Sequence, residues 1–457
     1  MNRTARILAL LRTYESRNVT FIEPDSSWPI VWERAKGVHV WDADGKKYLD
    51  LTAAFGVAAA GHANPRVIKA GRQQMARLLH AMGDVHPSAL KAQLARELSR
   101  ITFERWNGSL NRLSVKTLKR MPVRRFNPST LQRGKTIFCN SGFEAVEAAL
   151  KTAKLATGNP GVIAFTGAYH GTGYGALNAT HRVYFRGPFQ SQLGEFGHFV
   201  HFPSTAGDLE ITGGEIRRLF QRKKIGAILV EPVQGRGGIN IPPREFLPLL
   251  RRMCDEHEAL LIVDEIYTGF GRTGRWFACE HTHTVPDLIC LGKALTGGFP
   301  LAACVGRTDL MDRAWPPSTG EAIHTSTFLG HPVGCAMALA QIREIHEHDL
   351  PQRAAELGNL LLCLLQDAGC GIRDAGYEVC TRGLGLMGGL ELRCADGSPA
   401  TTTALHVIKI MLRRGFILLP EGEHANVISF TPPLIVRKRQ LTDAVAVLQE
   451  AFCACKC

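Results

Sequence analysis

The chain is 457 residues long, 45% apolar and 21% charged, which gives enough apolar surface for a large core and enough length for two or three domains. No run of about 18 apolar residues occurs, which argues against a membrane span. The formal charge of +13 is local, because residues 101–135 carry nine Lys and Arg against one acid, Glu104. A solvated basic loop is therefore expected there rather than a nucleic-acid surface.

In chain order, the first 20 residues set Arg3, Arg6, Arg12 and Arg17 around the short apolar run Ile7 to Leu11. That run is too short for a secretory core and reads as an amphipathic first helix, with an organellar transit signal as the alternative. Lys36 to Leu51 reads as a hairpin turning at Asp44-Gly45. From Thr136 to Gly306 short apolar or β-branched runs alternate with helical patterns, the signature of an α/β fold over a parallel sheet. The predicted strands are Thr136–Cys139, Gly161–Phe165, Ala227–Glu231, Leu260–Asp264, Leu288–Leu291 and Ala302–Gly306. Phe143–Leu155 reads as a helix opened by Ser141-Gly142, with Glu144 and Glu147 in its first turns. Phe246–His257 reads as another. After Pro332 one long helical stretch runs to about Ala368, followed by a mixed α+β lobe over Ile372–Leu392 and Thr401–Phe452.

The thirteen cysteines show no framework spacing, which points to reduced thiols in a cytoplasmic compartment. Cys453, Cys455 and Cys457 could in principle ligate zinc, but without a second cluster they read as a frayed tail, and no metal is expected.

Two strings, Gly269–Gly274 and Gly383–Gly388, match G-x-G-x-x-G. In the first, Asp264 and Glu265 stand between strand and glycines and no helix opens on the last glycine, so the geometry of a dinucleotide site is missing.

A different constellation carries more. Asp264 ends the most apolar strand, and Lys293 lies 29 positions later in the glycine-rich turn Gly292 to Gly298. Pyridoxal phosphate needs an amine to hold it, an anion facing its pyridine nitrogen, a phosphate cradle and groups on both ring faces. A carboxylate in low dielectric favours a protonated pyridinium. A desolvated lysine becomes a usable nucleophile and base. Asn140-Ser141-Gly142-Phe143-Glu144 starts a helix, where free N–H groups attract phosphate, although Ser141 would equally cap an empty helix.

These residues, with Tyr169-His170-Gly171, Glu231-Pro232-Val233-Gln234-Gly235, Thr268 to Gly274 and Thr325-Ser326-Thr327-Phe328, resemble the class III pyridoxal-phosphate aminotransferases, the ornithine and 4-aminobutyrate aminotransferase group. The match in order and spacing runs from Trp41 to Pro432-Pro433-Leu434. The resemblance implies fold type I: a large domain with a mostly parallel seven-stranded sheet flanked by helices, and a small α+β domain from both chain ends. The expected boundaries are 1–62, 63–345 and 346–457. It also implies a homodimer with shared active sites. By motif, Lys293 would form the internal aldimine and Asp264 would meet the pyridine nitrogen. Tyr169 and Ile266 would cover the ring faces, and Ser141 with the backbone amides of Gly142 and Phe143 would bind phosphate together with Thr327 from the partner subunit. Phe143 stands where many relatives carry Ser or Thr.

Two further departures bear on substrate. Ornithine-type relatives carry Glu after E-P-x-Q-G and Arg before the P-P-L string, a switching ion pair that gates the α-carboxylate site. Here those positions are Arg236 and Ser429, which leaves no such pair: either Arg236 itself meets a substrate carboxylate, or it is turned to solvent or paired structurally. The segment from Trp106 to Gln132 is longer than the family's usual connection. The expected chemistry is ping-pong transamination from an amino-acid or ω-amino donor to a 2-oxo-acid acceptor. The alternatives are a racemase or aminomutase on the same scaffold, or a non-catalytic binding protein.

Overall fold

The computed structural model describes residues 2–25, 27–106, 133–374 and 376–453. Most of the basic segment, including Arg112, Lys116, Lys119, Arg120, Arg124 and Arg125, lies outside the described residues, as do Cys455 and Cys457. Its described flank is tied down: Arg105 and the Trp106 indole both reach Glu280, each at 3.1 Å.

After a first helix, Arg3–Tyr14, the chain forms β1 (Trp32–Lys36), β2 (His39–Asp42) and β3 (Lys47–Asp50). The predicted hairpin is thus the second half of a three-stranded meander, with an additional turn at Gly37. The turn at Asp44-Gly45 forms because Asp42 Oδ1 accepts from the Asp44 and Lys46 N–H groups at 3.0 and 2.8 Å, a local bond that substitutes for a ladder.

The central sheet contains β4 (Gly134–Cys139), β5 (Gly161–Phe165), β6 (Gly197–Val200), β7 (Ile225–Val230), β8 (Leu260–Asp264), β9 (Leu288–Leu291) and β10 (Ala302–Arg307). Their order is β4-β10-β9-β8-β7-β5-β6. The sheet is not wholly parallel: β10 runs antiparallel to both β9 and β4. Buried on both faces, β5, β7, β8 and β9 are apolar but for Asp264 at the end of β8, as strands of a covered sheet must be. Six strands coincide with apolar runs in the sequence. The seventh, β6, does not stand out, because this short edge strand fully buries only Val200.

The long helical stretch after Pro332 is two helices, Pro332–Glu347 and Leu350–Arg373. The break falls at Asp349, whose φ is +41°, and Pro351 could not have continued the first helix because it has no N–H to donate.

The C-terminal part adds β11 (Tyr377–Gly383), β12 (Gly388–Cys394), β13 (Phe416–Ile417), β14 (Leu419–Glu421) and β15 (Val427–Phe430). β13 joins β3 in parallel, so the two chain ends share one sheet, while β11-β12-β15-β14 form another. Every described cysteine is a free thiol. Among the described residues, no helix is long and apolar enough to cross a membrane.

Candidate active site

Parallel pairing brings Asp264 and Lys293 together. β8 and β9 are neighbours with Asp264 opposite Cys290, so the carboxylate and the turn that follows Leu291 emerge at the same sheet edge. The carboxyl ends of parallel strands are where α/β sheets bind ligands. There a cavity of about 220 Å³ is lined by Gly142, Phe143, Tyr169, Asp264, Ile266 and Lys293, together with His170, Glu231, Arg236 and Tyr267. A larger groove of about 620 Å³ lies by the helices Asp208–Arg222 and Phe246–Glu256, but it is open to solvent and contains neither Asp264 nor Lys293.

Lys293 sits at φ +42°, a left-handed conformation that costs a non-glycine residue and that proteins retain where function needs it. Its amine is buried, and burial lowers its pKa against the opposing pull of Asp264, Glu231 and Glu421. Nζ lies 4.3 Å from the centre of the Tyr267 ring.

Asp264 is held at both oxygens. The Ile266 N–H donates to Oδ1 at 3.1 Å, and His170 Nδ1 bonds Oδ2 at 2.8 Å. His170 is itself placed by Thr180, which accepts from the His170 N–H at 2.9 Å and donates to the Gly171 carbonyl at 2.8 Å. Glu231, just past β7, accepts from the Tyr169 and Gly235 N–H groups at 2.9 and 3.2 Å. Burial pushes its carboxyl up to about 7. His170 and Glu231 lie inside the sequence motifs with no role evident from sequence, and Tyr267 stands outside them. The available signal was an ionisable residue next to a strand end.

The helix Gly142–Thr157 starts where the phosphate cradle was expected. A Cβ on Gly142 would lie 3.1 Å from Ile266 Cδ1 and Cγ2, so the bare backbone lets the helix end close over Ile266. Ser141 occupies the cap position but makes no capping bond. Its buried hydroxyl has no hydrogen-bond partner among the described residues. Glu144 instead accepts from the Asn140 N–H at 2.7 Å, and Glu147 accepts from the Gly175 and Ala176 N–H groups at 2.7 and 3.0 Å. Phe143 is 37% exposed at the rim. Its ring fills the space a side chain on Gly173 would need.

Thr327 does not line the cavity of its own chain. Its loop is anchored beside the cavity by the bond from Asn140 Nδ2 to Ser326 Oγ, 3.1 Å.

Arg236 and Ser429 make no ion pair with each other, but Arg236 is paired elsewhere. An ion pair does remain: Arg236 Nε lies 3.6 Å from Glu421 Oε2, and its guanidinium carbon is 5.3 Å from the centre of the Tyr169 ring. The polarity is reversed relative to the ornithine-type pair, and the acid comes from β14. Antiparallel pairing sets Glu421 against Val427 and Leu419 against Ser429, while the Ser429 hydroxyl donates to the Leu419 carbonyl at 3.0 Å. Burial pushes Glu421 up to about 7, with Arg236 and Lys293 pulling it down.

The two G-x-G-x-x-G strings pack against each other. A Cβ on Gly385 would come within 2.3 Å of the Thr273 carbonyl carbon, and the Leu386 N–H donates to the Arg272 carbonyl at 3.0 Å. Arg272, buried, donates to the Leu386 and Pro432 carbonyls at 2.9 and 2.5 Å. Glu265 faces away from the cavity and accepts from the Cys279 N–H at 2.9 Å.

The chain can be set beside known proteins on this geometry. A family model described as aminotransferase class-III matches residues 21–452. The chain is 36% identical over 427 residues to an acetylornithine aminotransferase of Methanopyrus kandleri, covering 93% of this chain and 95% of that one. It is 35% identical to a 5-aminovalerate aminotransferase of Pseudomonas aeruginosa, covering 93% of each. It superposes on the ornithine aminotransferase of Toxoplasma gondii with a TM-score of 0.81 at 25% identity, over 100% of this chain and 96% of that one. Another structure of that ornithine aminotransferase is described with partial occupancy of PLP at its active site. The chain therefore belongs to the class III aminotransferases and is a pyridoxal-phosphate-dependent transaminase.

Proposed function

We propose that Lys293 and Asp264 are the catalytic pair, and that the donor is an amino acid or ω-amino acid whose carboxylate meets Arg236. The observation that carries this reading is the buried Lys293 amine, on a strained backbone, in one cavity with a doubly anchored Asp264.

The residues present fit pyridoxal phosphate by their unmet chemistry: Ser141 Oγ and His170 Nε2 are buried polar atoms without a hydrogen-bond partner among the described residues. Such atoms are costly unless a ligand or water completes them. When bound, the cofactor supplies an electron sink for the charge left as a proton leaves the carbon bearing the amine.

The chain supplies the rest. Lys293 would hold the cofactor and, once freed, carry the proton between carbons. Asp264, held by His170 and the Ile266 N–H, would keep the pyridine nitrogen protonated. The Gly142 and Phe143 amides and the Ser141 hydroxyl would receive phosphate at a helix N-terminus, with Tyr169 and Ile266 against the ring faces.

The names of the relatives, which act on acetylornithine, ornithine and 5-aminovalerate, support a donor carrying a carboxylate away from its reacting amine, with a 2-oxo acid as acceptor. A homodimer is supported by the exposed apolar side chains Leu78, Leu79, Met82 and Val85, which continue through the His80–Phe328 ring contact at 5.4 Å to the loop beside the cavity. An apolar patch of this kind marks an interface, and the partner subunit's Thr327 would complete the phosphate cradle. Large-domain boundaries near residues 63 and 345 and a cytoplasmic location complete the reading.

The test is a panel of amino donors with pyruvate and 2-oxoglutarate as acceptors. The purified protein should be yellow, and Lys293→Ala should lose both colour and turnover. Amino-acid enantiomer formed without any acceptor would instead indicate a racemase. Absence of turnover in every donor and acceptor combination would overturn the substrate reading.

A further inference from the structure

The side chain beneath the Lys293 amine is Tyr267, and it stands in a slot made for a flat ring. On one side is Gly56, where a Cβ would lie 2.6 Å from Tyr267 Cε2, and on the other Gly235, where it would lie 2.1 Å from Cδ1. Gly56 is brought there by a turn in which Ala53, Ala54 and Phe55 all have positive φ, between +47° and +61°. Three consecutive non-glycine residues in the left-handed region are costly and persist only where the surroundings hold them. Here Asp50 does so: the Ala54 N–H donates to Asp50 Oδ2 at 3.1 Å and the Thr52 hydroxyl to Oδ1 at 2.6 Å.

The phenol is not available to Lys293. Thr431 Oγ1 donates to the Thr52 carbonyl at 3.2 Å, which leaves it to accept from the Tyr267 hydroxyl at 3.1 Å. Burial, reinforced by Glu421, pushes the phenol up to about 12, so it does not ionise at neutral pH. What Tyr267 offers Lys293 is the ring, with Nζ 4.3 Å from its centre.

We propose that Tyr267 is a positioning residue for Lys293, receiving the ammonium on the face of its ring and fixing where that amine stands in the cavity. The inference rests on the reading of Lys293 as the cofactor-holding amine. A ring quadrupole attracts a desolvated cation, so Tyr267 raises the proton affinity of the amine while burial lowers it. The charged groups acting on Lys293 from the surrounding elements are Asp264, Glu231 and Glu421, which favour the ammonium, and Arg236, which opposes it.

The experiment measures the pH midpoint of Lys293 acylation by acetic anhydride in the full chain stripped of cofactor, read from the Lys293 peptide by mass spectrometry. Tyr267→Phe should keep the midpoint. The same phenylalanine carrying one, two and three ring fluorines, which weakens the π face without changing its shape, should lower it stepwise, and Tyr267→Leu should lower it by about one pH unit. A midpoint that ignores the fluorine series, or one that Tyr267→Phe moves as far as Tyr267→Leu, overturns the proposal. A role in packing alone would lower the melting temperature of Tyr267→Leu and leave the fluorine series flat. The underlying reading fails separately, by retention of colour and turnover in Lys293→Ala.

Discussion

Replacing Arg236 by alanine should separate two effects that the structure links, carboxylate recognition and the charge of Glu421. At 3.6 Å and an effective dielectric of about 20, two unit charges attract by about 4–5 kcal/mol. Arg236 is 35% exposed, so solvent reduces the net worth of the pair to about 1–2 kcal/mol. A substrate carboxylate bonded to the same guanidinium would gain about 1.5–3 kcal/mol, or about 10- to 150-fold in kcat/KM. Arg236→Ala should therefore lose that factor for carboxylate-bearing donors and acceptors, and keep its rate with a primary amine lacking a carboxylate. The assay is steady-state kinetics with both donor types against pyruvate and 2-oxoglutarate. Unchanged kinetics for every carboxylate-bearing substrate would refute the assignment. The pH dependence gives a second check. Glu421 is pushed up to about 7 even with Arg236 pulling it down, and without Arg236 it rises further. A raised carboxyl pKa means stability present at low pH and lost as pH climbs through the folded value. The cost of Arg236→Ala should thus be small near pH 5, where Glu421 is protonated in both proteins, and grow above pH 7. Glu421→Gln should remove that growth.

Asp264→Asn keeps the shape that His170 and the Ile266 N–H hold, yet removes the charge. Turnover should fall about 10²- to 10³-fold, the scale of a lost preorganised electrostatic contact, and near-native kcat would contradict the role. Gly142→Val should raise the dissociation constant for pyridoxal phosphate, measured by fluorescence titration, because the first added carbon already meets Ile266 at 3.1 Å; unchanged affinity would remove Gly142 from the cradle. Glu265 is fully buried and pushed up to about 7 from its ordinary 4.5, so its contribution falls as pH rises across that interval. Glu265→Gln should flatten the decline in urea stability between pH 5 and pH 8 by about 1–3 kcal/mol, and an unaltered slope would show that the carboxyl titrates normally.

How much of this was legible follows from the range of each interaction. Strands buried on both faces announce themselves as apolar runs, so β5, β7, β8 and β9 were readable, and with them the neighbours Asp264 and Lys293. The orientation of β10 was not, since an apolar run is the same in either direction. The long helix was misread because Asp349 and Pro351 break it over a span too short to disturb the apolar period. The helix start at Ser141 was placed correctly, but its cap was not. Glu144 reaches back to the Asn140 N–H and the Ser141 hydroxyl has no partner among the described residues, a choice that depends on side-chain geometry.

The reversed ion pair shows why motif position is an incomplete guide to charge. Comparison of aligned positions finds Arg236 facing Ser429 and concludes that the pair is lost, since a one-dimensional match can test only the two positions it already knows. The antiparallel turn between β14 and β15 offers a second strand, and Glu421 on it reaches the same guanidinium. A half-exposed cation near Lys293 depresses the lysine, and Glu421 beside it offsets that charge. The constraint acts on local charge balance rather than on a sequence position. It follows that Arg236 and Glu421 should depend on each other: in urea melts at pH 8, Arg236→Ala should destabilise by about 1–2 kcal/mol less when Glu421→Gln is already present than in the native chain. Strict additivity would mean that the 3.6 Å approach carries no coupling.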